Sequence, residues 1–249
     1  MKISIITAVF NNLSNIEELI HCLKIQNYYN FEKIVVDGNS TDGTKEFLLK
    51  HKSFFSKIVI EVDSGVYDAL NKSLKLANGN VVGLLHSDDL YANKNVLKKI
   101  SKIFSDPKVD IVYGDLHYVS KDNPNKIIRH WSAGEFSLDK LKSGWMPPHP
   151  TFFIRRKLLN QIGFFDTRYK IAADYDFMLR ALTQKNVNVV YLPEVLIKMR
   201  VGGMSNRSLK NILLKSYEDY QIIRHHKIGG IGTLLFKNLS KIPQFFSLN

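Results

Sequence analysis

The chain of 249 residues contains a single cysteine, only seven prolines, and no apolar run approaching the ~20 residues that cross a bilayer. One cysteine, Cys22, excludes an internal disulfide and any cysteine-based zinc centre. It falls among Ile16, Leu19, Ile20 and Leu23 at helical spacing, so a core thiol is its default reading. No charged leader or small-residue cleavage site precedes the first apolar stretch, residues 3–10, and the protein is expected to stay in the cytoplasm. No G-x-G-x-x-G follows that stretch and no Walker motif occurs, which demotes nicotinamide redox chemistry and P-loop hydrolysis. Acids are scarce beside bases: 23 Asp and Glu against 35 Lys and Arg, a net charge of +12. That balance favours an anionic partner, whether nucleic acid, an anionic membrane surface or a phosphorylated small molecule.

With 45% hydrophobic and 23% charged residues, the chain suits one large or two small globular domains. Apolar runs at 3–10, 33–37, 57–62 and 81–85 read as strands. Helical patterns lie between them. The first opens at Ser14 and Glu17, spaced as a capping box, and carries Ile16, Leu19, Ile20 and Leu23 on one face. The turn-rich stretch 38–44 opens a second. A third follows Asp63-Ser64-Gly65, with Val66, Ala69, Leu70, Ser73, Leu74 and Ala77 at core spacing and Gly79 as its stop. Strand and helix in alternation argue a parallel sheet with right-handed crossovers. A helix through Val96, Ile100 and Phe104 comes next, then strands at 110–119 and 126–131 joined as a hairpin by the turn at 122–125.

From about Phe136 the character changes. Pro147-Pro148-His149-Pro150 is rigid and extended, followed by a short strand at 151–154 and a short helix at 155–162. A helix starting near Asp174 has acids in its first turn, where the helix dipole favours them. Strands are expected at 187–192 and 195–201, a flexible break at Gly202-Gly203-Met204-Ser205, and a basic helical tail over 209–249.

Three strand ends carry polar signals: Thr7 to Asn11, Asp37, and Asp88-Asp89. In open α/β sheets, ligands bind beyond the carboxyl ends of the strands. Phe10 can stack on a planar base, and Asp37 can accept from a ring N–H. Asp88 can accept from ribose hydroxyls, and Asp89 suits Mg²⁺ or Mn²⁺, which take one or two carboxylates plus phosphate oxygens. The plainer reading of Asp88-Asp89 is a solvated loop start. Asp68 is either a surface ion pair with Lys72, four residues on, or a group facing the crevice. His149, Asp115, Asp166, Trp131 and Trp145 each have a site reading and a packing or turn reading.

The stretches Thr7-Ala8-Val9-Phe10-Asn11, Val36-Asp37-Gly38-Asn39-Ser40-Thr41-Asp42-Gly43-Thr44 and Asp63-Ser64-Gly65-Val66-Tyr67-Asp68-Ala69-Leu70-Asn71-Lys72 resemble the family 2 glycosyltransferases. So do Ala77-Asn78-Gly79 followed by Ser87-Asp88-Asp89, and Ala173-Asp174-Tyr175-Asp176. The resemblance spans about residues 3–205. It implies a GT-A fold: a Rossmann-like, mostly parallel α/β sheet flanked by helices, here with a basic helical C-terminal tail. It also implies a nucleotide-diphosphate sugar donor, UDP-linked by preference, a Mn²⁺ or Mg²⁺ cofactor and inversion at the anomeric carbon. By position, Thr7, Phe10 and Asp37 would hold the base, Asp88 would sit near ribose, Asp89 would bind the metal and Asp174 would be the catalytic base. Phe10 stands where the family has Tyr, and Ala173 where it has Glu before the base, which makes Asp176 a rival for that role. The segment Gly202-Gly203-Met204-Ser205 falls where family members carry a mobile loop over the diphosphate.

The implied organisation is a catalytic domain over 1–205, with a nucleotide-sugar half at 1–119 and an acceptor half at 120–205, and a helical segment at 206–249. In that segment Leu234, Leu235, Phe236, Leu239, Ile242, Phe245 and Phe246 interleave with Lys237 and Lys241. Such a segment either lies in an anionic membrane interface or folds back on the domain. Membrane attachment would fit a lipid-linked saccharide acceptor in surface-polysaccharide (O-antigen or capsule) assembly. Two rivals stand beside this reading. A metal-dependent sugar nucleotidyltransferase needs a Gly-rich basic loop after the first strand, where Asn11-Asn12-Leu13-Ser14 stands. A nucleic-acid-binding protein would not carry acidic strand ends, and no such motif is visible.

Overall fold

The computed structural model describes residues 1–202 and 208–239. Strand β1 (Ile3–Val9), helix α1 (Leu13–Lys24), β2 (Phe31–Asp37), α2 (Thr44–Lys50), β3 (Lys57–Ile60), α3 (Val66–Leu76) and β4 (Val81–Leu84) alternate along the first third of the chain. β1 pairs with β2 on one side and β4 on the other, and β3 lies outside β2, all in parallel. Every residue of β1 and β4 is buried, as strands covered on both faces must be. Ile3, Ile5 and Val9 pack with Ile16, Leu19 and Leu23 of α1, whereas Ile6 and Ala8 pack with Ala69, Leu70 and Leu74 of α3. The two-residue period of the strand thus sends alternate side chains into two separate cores.

The rest of the chain forms β5 (Leu90–Tyr91), α4 (Val96–Ile103), β6 (Ile111–Val119), β7 (Ile127–Trp131), α5 (Leu138–Lys142), β8 (Phe153–Arg155), α6 (Arg156–Ile162), α7 (Ala173–Leu182), β9 (Val189–Arg200), α8 (Leu209–His225) and α9 (Ile231–Leu239). One nine-stranded sheet results, in the order β3-β2-β1-β4-β8-β6-β9-β5 with β7 beside β6. β8 runs antiparallel to both β4 and β6, and β9 is parallel to β6. The sheet is therefore parallel up to β4 and mixed beyond it. The change of direction at β8 depends on Gly83, opposite Phe153, where a Cβ would lie 2.3 Å from the Phe153 ring.

The α/β expectation holds, and several local expectations are corrected. The Ser14–Glu17 capping box does not form: α1 starts two residues earlier than a Ser14 cap would set it, with Asn12 at its N-cap and no side-chain cap. Its free amides are met from outside the helix, since the Leu13 N–H donates to Asp42 Oδ2 at 3.0 Å and the Asn12 N–H to Thr44 Oγ1 at 3.0 Å. The two strands expected at 187–192 and 195–201 are one, β9, with register shifts opposite Gly114 and Asp115 that absorb Pro193 and Glu194. Within the tail, Ile222 and Ile223 of α8 are fully buried in the same core as α7. Gly202 is described with φ +102°, whereas Gly203, Met204, Ser205, Lys241, Ile242, Phe245 and Phe246 lie outside the described residues. Among the described residues no helix is long and apolar enough to cross a membrane.

Candidate active site

The loops after β1, β2 and β4 are sewn together by short polar bonds. Asn11 adopts a left-handed backbone, φ +48°, which lets its N–H donate to Ser40 Oγ (2.8 Å) while its side-chain oxygen accepts from the Thr41 N–H (2.8 Å). Asn12 Nδ2 donates to Ser87 Oγ at 2.8 Å, joining the first loop to the one that carries the acid pair. Asp37 is fully buried, and its two carboxylate oxygens accept from the Ser40 N–H (2.8 Å) and Ser40 Oγ–H (2.6 Å). Thr7 is buried on the neighbouring strand β1, opposite Val35, two residues before the Val9 that pairs with Asp37. The groups that reach outward are Phe10, 62% exposed, and Asp63. Both stand over Gly38: a Cβ there would lie 3.1 Å from the Phe10 ring and 2.6 Å from Asp63 Oδ2. The sequence marks Asp63 as a helix start and as the head of a stretch that carries the family resemblance, with no role of its own. The signal that could have found it is the glycine directly after Asp37, which keeps the floor under both groups clear.

At the end of β4 the two adjacent acids behave differently. Asp88 is half-buried, and its carboxylate receives no hydrogen bond from the described residues. Asp89 is 1% exposed, and neither of its carboxylate oxygens has a hydrogen-bond partner among the described residues. Burial, reinforced by Asp88, pushes the Asp89 carboxyl well above the usual carboxylate range, and the backbone and guanidinium of Arg200 only partly oppose this. Arg200, at the end of β9, is itself buried. It donates to the Asp88 carbonyl (2.6 Å) and the Lys121 carbonyl (3.1 Å) and pairs with Glu18, so it fixes the backbone of the acid pair. Two neighbouring carboxylates, one buried without partners, fit a divalent cation. Among the described residues no set of three protein ligands surrounds them, so an ion there would complete its shell with substrate and water oxygens, as Mg²⁺ and Mn²⁺ commonly do.

The second half of the chain brings Asp174 to the same place. It lies in the first turn of α7, with its side chain 34% exposed. Asp174 Oδ1 accepts from the Tyr175 N–H (2.9 Å) and lies 3.2 Å from the Tyr67 hydroxyl, which also donates to the Ile171 carbonyl (2.7 Å). Asp174 Oδ2 is 3.9 Å from His149 Nδ1. His149 sits in the short helical turn His149–Thr151 that Pro148 and Pro150 enforce, edge-on to Phe165 and 6.2 Å from the His86 ring. Burial lowers His149 to about 4 against the pull of Asp174, so its imidazole is neutral at neutral pH. Burial lowers His86 too, although Asp88 and Asp174 both attract its proton. His86 therefore stands within electrostatic reach of the acid at the strand end and the acid at the helix start.

Asp176 is buried, 4% exposed, and held by Arg180 Nε (2.8 Å) and His226 Nε2 (2.8 Å), so of the two α7 acids only Asp174 faces outward. Asp68 accepts from the Ser64 N–H (3.0 Å) and lies 3.4 Å from Lys72 Nζ, the local ion pair that was one of its two readings. Asp166 shapes a turn with Arg168, and Asp115 is buried under the Ala133 N–H and the Tyr191 hydroxyl. Trp145 donates to the Ala133 carbonyl and packs edge-on against Tyr113, while Trp131 stacks on Tyr118.

A parallel half whose strand ends present an acid pair, continued by a mixed half that brings a further, half-buried acid beside it, is the architecture of the GT-A glycosyltransferases. The chain belongs to glycosyl transferase family 2, whose family model matches residues 4–172. It is 29% identical over 217 residues to a "PGL/p-HBAD biosynthesis glycosyltransferase" of Mycobacterium bovis, covering 85% of this chain and 82% of that one. Residues 1–349 of S. aureus TarS, solved with UDP-GlcNAc, superpose with a TM-score of 0.70 at 22% identity, over 91% of this chain and 65% of that one. This chain spans 39% of the longer TarS structure. A mannosyltransferase from Pyrobaculum calidifontis, solved with GDP-Man and Mn²⁺, gives a TM-score of 0.64 at 19% identity, covering 98% and 73% of the two chains. With the family established, the nucleotidyltransferase and nucleic-acid-binding readings fall away.

Proposed function

We propose that this glycosyltransferase moves a sugar from a UDP-linked donor to a hydroxyl of a saccharide acceptor, with inversion, and that Asp174 is its general base. The observation that carries the reading is the meeting of Asp88, His86, His149 and Asp174: a half-buried acid from α7 faces the acid pair from β4 across two neutral imidazoles. The base of the nucleotide lies on the exposed Phe10 ring over Gly38, with the Asp63 carboxylate at its edge, while the buried Asp37 braces the loop through Ser40 and Thr7 is buried within β1. Asp174 takes the proton of the acceptor hydroxyl as its oxygen bonds to the anomeric carbon and the bond from that carbon to the diphosphate oxygen breaks. UDP leaves from the opposite face of the sugar. Only one base is required, since inversion is a single displacement. Asp88 and Asp89 would hold the Mn²⁺ or Mg²⁺, which supplies Lewis-acid charge neutralisation for the departing diphosphate. The neutral His149 and the Tyr67 hydroxyl border the base and orient it without competing for the acceptor proton.

The acceptor is lipid-linked and the enzyme works at the cytoplasmic face of an anionic membrane, in the assembly of a surface polysaccharide. Support comes from the net charge of +12 and from α9, which leaves Ile231, Leu235, Phe236 and Leu239 exposed along one helical face. The mycobacterial relative named for PGL biosynthesis is consistent with such an acceptor.

The test is a thermal-shift and hydrolysis panel with UDP, UDP-glucose, UDP-galactose, UDP-N-acetylglucosamine and GDP-mannose, each with and without Mn²⁺. UDP plus Mn²⁺ should raise the melting temperature, and Asp89→Ala should abolish the rise. Asp174→Asn should bind UDP normally while turnover falls about 10²- to 10⁴-fold. Wild-type turnover in that variant would remove Asp174 from its role.

A further inference from the structure

We infer that Glu218, on α8, is a positioning residue for the reaction: it holds the start of α7 so that Asp174 is presented to the cleft. The inference rests on the reading of Asp174 as base. Helix α7 needs such a partner. Its N-cap residue, Ala172, has no side-chain oxygen and makes no side-chain cap, so the Ala172 N–H and the two buried amides leading up to it need an acceptor from elsewhere. Glu218, 4% exposed, reaches them from another helix. Its Oε1 accepts from the Lys170 N–H (2.7 Å), and its Oε2 accepts from the N–H groups of Ile171 (2.9 Å) and Ala172 (2.8 Å). Three successive amides converging on one carboxylate make an anion cradle of the kind that usually receives a ligand, filled here by the protein itself. Asp174 follows two residues after the last of these amides. The carboxylate that Ala173 cannot supply at this end of α7 comes from α8.

Two further ties grip the same segment from the C-terminal helices. His226 donates to Asp176 Oδ1 at 2.8 Å. Asp219, next to Glu218, is buried between Lys215 (2.7 Å) and Lys237 of α9 (2.7 Å), and the Lys237 ammonium lies 3.1 Å from the centre of the Tyr175 ring. Lys170 to Ala172, Tyr175 and Asp176 are thus all held from behind, and Asp174 is the acid left facing the cleft. The family model ends at residue 172, so this grip comes wholly from chain beyond the matched region. Among the described residues, Glu218's hydrogen bonds go to residues 170–172 and none goes to the loops after β1, β2 and β4 that the proposed function assigns to the donor. Loosening the grip should therefore misplace the base and leave nucleotide binding alone, and a displacement near 1 Å can cost ~10²-fold in rate.

The experiment uses the full chain with Glu218→Gln, which keeps the side chain's size but turns an NH₂ toward an N–H. Three quantities are read: hydrogen–deuterium exchange of the peptide over 169–176, affinity for UDP with Mn²⁺, and the rate of UDP-sugar hydrolysis, with Asp174→Asn alongside. Exchange should rise about tenfold or more, the catalytic rate should fall roughly 10- to 100-fold, and UDP affinity should stay within about twofold. Unchanged exchange overturns the inference, as does faster exchange with an unchanged catalytic rate. The exchange measurement needs no substrate, so it judges the grip even where Asp174→Asn keeps its turnover and the base reading fails. Should Glu218→Gln not fold, His226→Gln loosens the same first turn of α7 through Asp176. A catalytic rate about three- to tenfold lower at unchanged UDP affinity is expected there, and a wild-type rate overturns the inference.

Discussion

Three aspartates, all at most 4% exposed, divide the molecule into two chemically distinct regions. At the β4 strand end, neither carboxylate oxygen of Asp89 has a hydrogen-bond partner among the described residues, and burial drives its carboxyl well above the usual range. In the α7–α8 region, burial pushes the same way on Asp176 and Asp219, yet each is held below the usual range. His226 and Arg180 overcome burial at Asp176, and Lys237 and Lys215 overcome it at Asp219. The residue type and the degree of burial are alike, and the difference is how closely cations engage the carboxylate. Where arginine, lysine or histidine hydrogen-bonds it, the acid is a tie between helices. Where Arg200 acts on it without a side-chain hydrogen bond, a buried charge is left that destabilises the free protein and waits for a ligand.

The comparison breaks most visibly at Asp176. Removing one partner from a buried ion cluster costs about 3–5 kcal/mol, because the remaining charges stay buried without compensation. Asp176→Asn should lower stability by that order in urea unfolding. The pH dependence has a definite sign. A carboxyl held below its unfolded value, about 3.9, adds stability above that value and loses it as pH falls through the folded one. The ties at Asp176 and Asp219 should therefore weaken below about pH 4, and Asp176→Asn should flatten part of that acid loss. Asp89 has the opposite sign. Its raised value means that the cost of ionising it is absent in acid and grows as pH rises past about 4.

Asp89→Asn sharpens the same contrast from the other side. Taking the charge away should stabilise the metal-free protein at neutral pH by about 1 kcal/mol, as the removal of strained functional groups commonly does. It should at the same time abolish the stabilisation by Mn²⁺ and UDP, which for the wild type grows with the logarithm of ligand concentration over Kd. Both readings come from melting curves with and without the ligands. A metal-free Asp89→Asn protein less stable than wild type would mean that the Asp89 carboxylate is a tie like Asp176.

The two regions also differ in how far they could be read from sequence. β1, β2 and β4 announce themselves as apolar runs ending in polar residues, and the partners of their end loops, Asn11, Asn12, Ser40 and Ser87, lie within those same loops. The α7 region is held by residues about 45 or more positions away, and no local pattern marks Glu218 or His226 as partners of Lys170–Ala172 and Asp176. For the same reason the capping box at Ser14 and Glu17 misled: Asp42 and Thr44, a loop away, already satisfy the amides at the start of α1. Pro193 made β9 look like two strands, because a proline ends most ladders, whereas here β6 shifts register around it. His149 was legible as rigid but not as a neighbour of Asp174, since only the folded chain brings 149 beside 174.

Helix α9 carries both kinds of surface, and the smallest effect on stability is expected there. Its inner side places Lys237 on Asp219 and Tyr175, against Gly144, where a Cβ would lie 2.7 Å from Lys237 Cβ. Its outer side leaves Leu235 and Phe236 each 56% exposed. Exposed side chains that bury little area on folding contribute little to it, so Leu235→Ser with Phe236→Ser should change stability by no more than about 0.5 kcal/mol. The same double change should abolish co-sedimentation with vesicles of phosphatidylglycerol and phosphatidylethanolamine, because interfacial binding scales with the apolar area inserted. Raising salt should weaken wild-type binding to those vesicles through screening of its excess positive charge, and neutral phosphatidylcholine vesicles should bind little. Unaltered sedimentation of the double variant would remove the membrane from the outer face of α9. The inner face would keep its role at Tyr175, because it depends on Lys237 and not on either substituted residue.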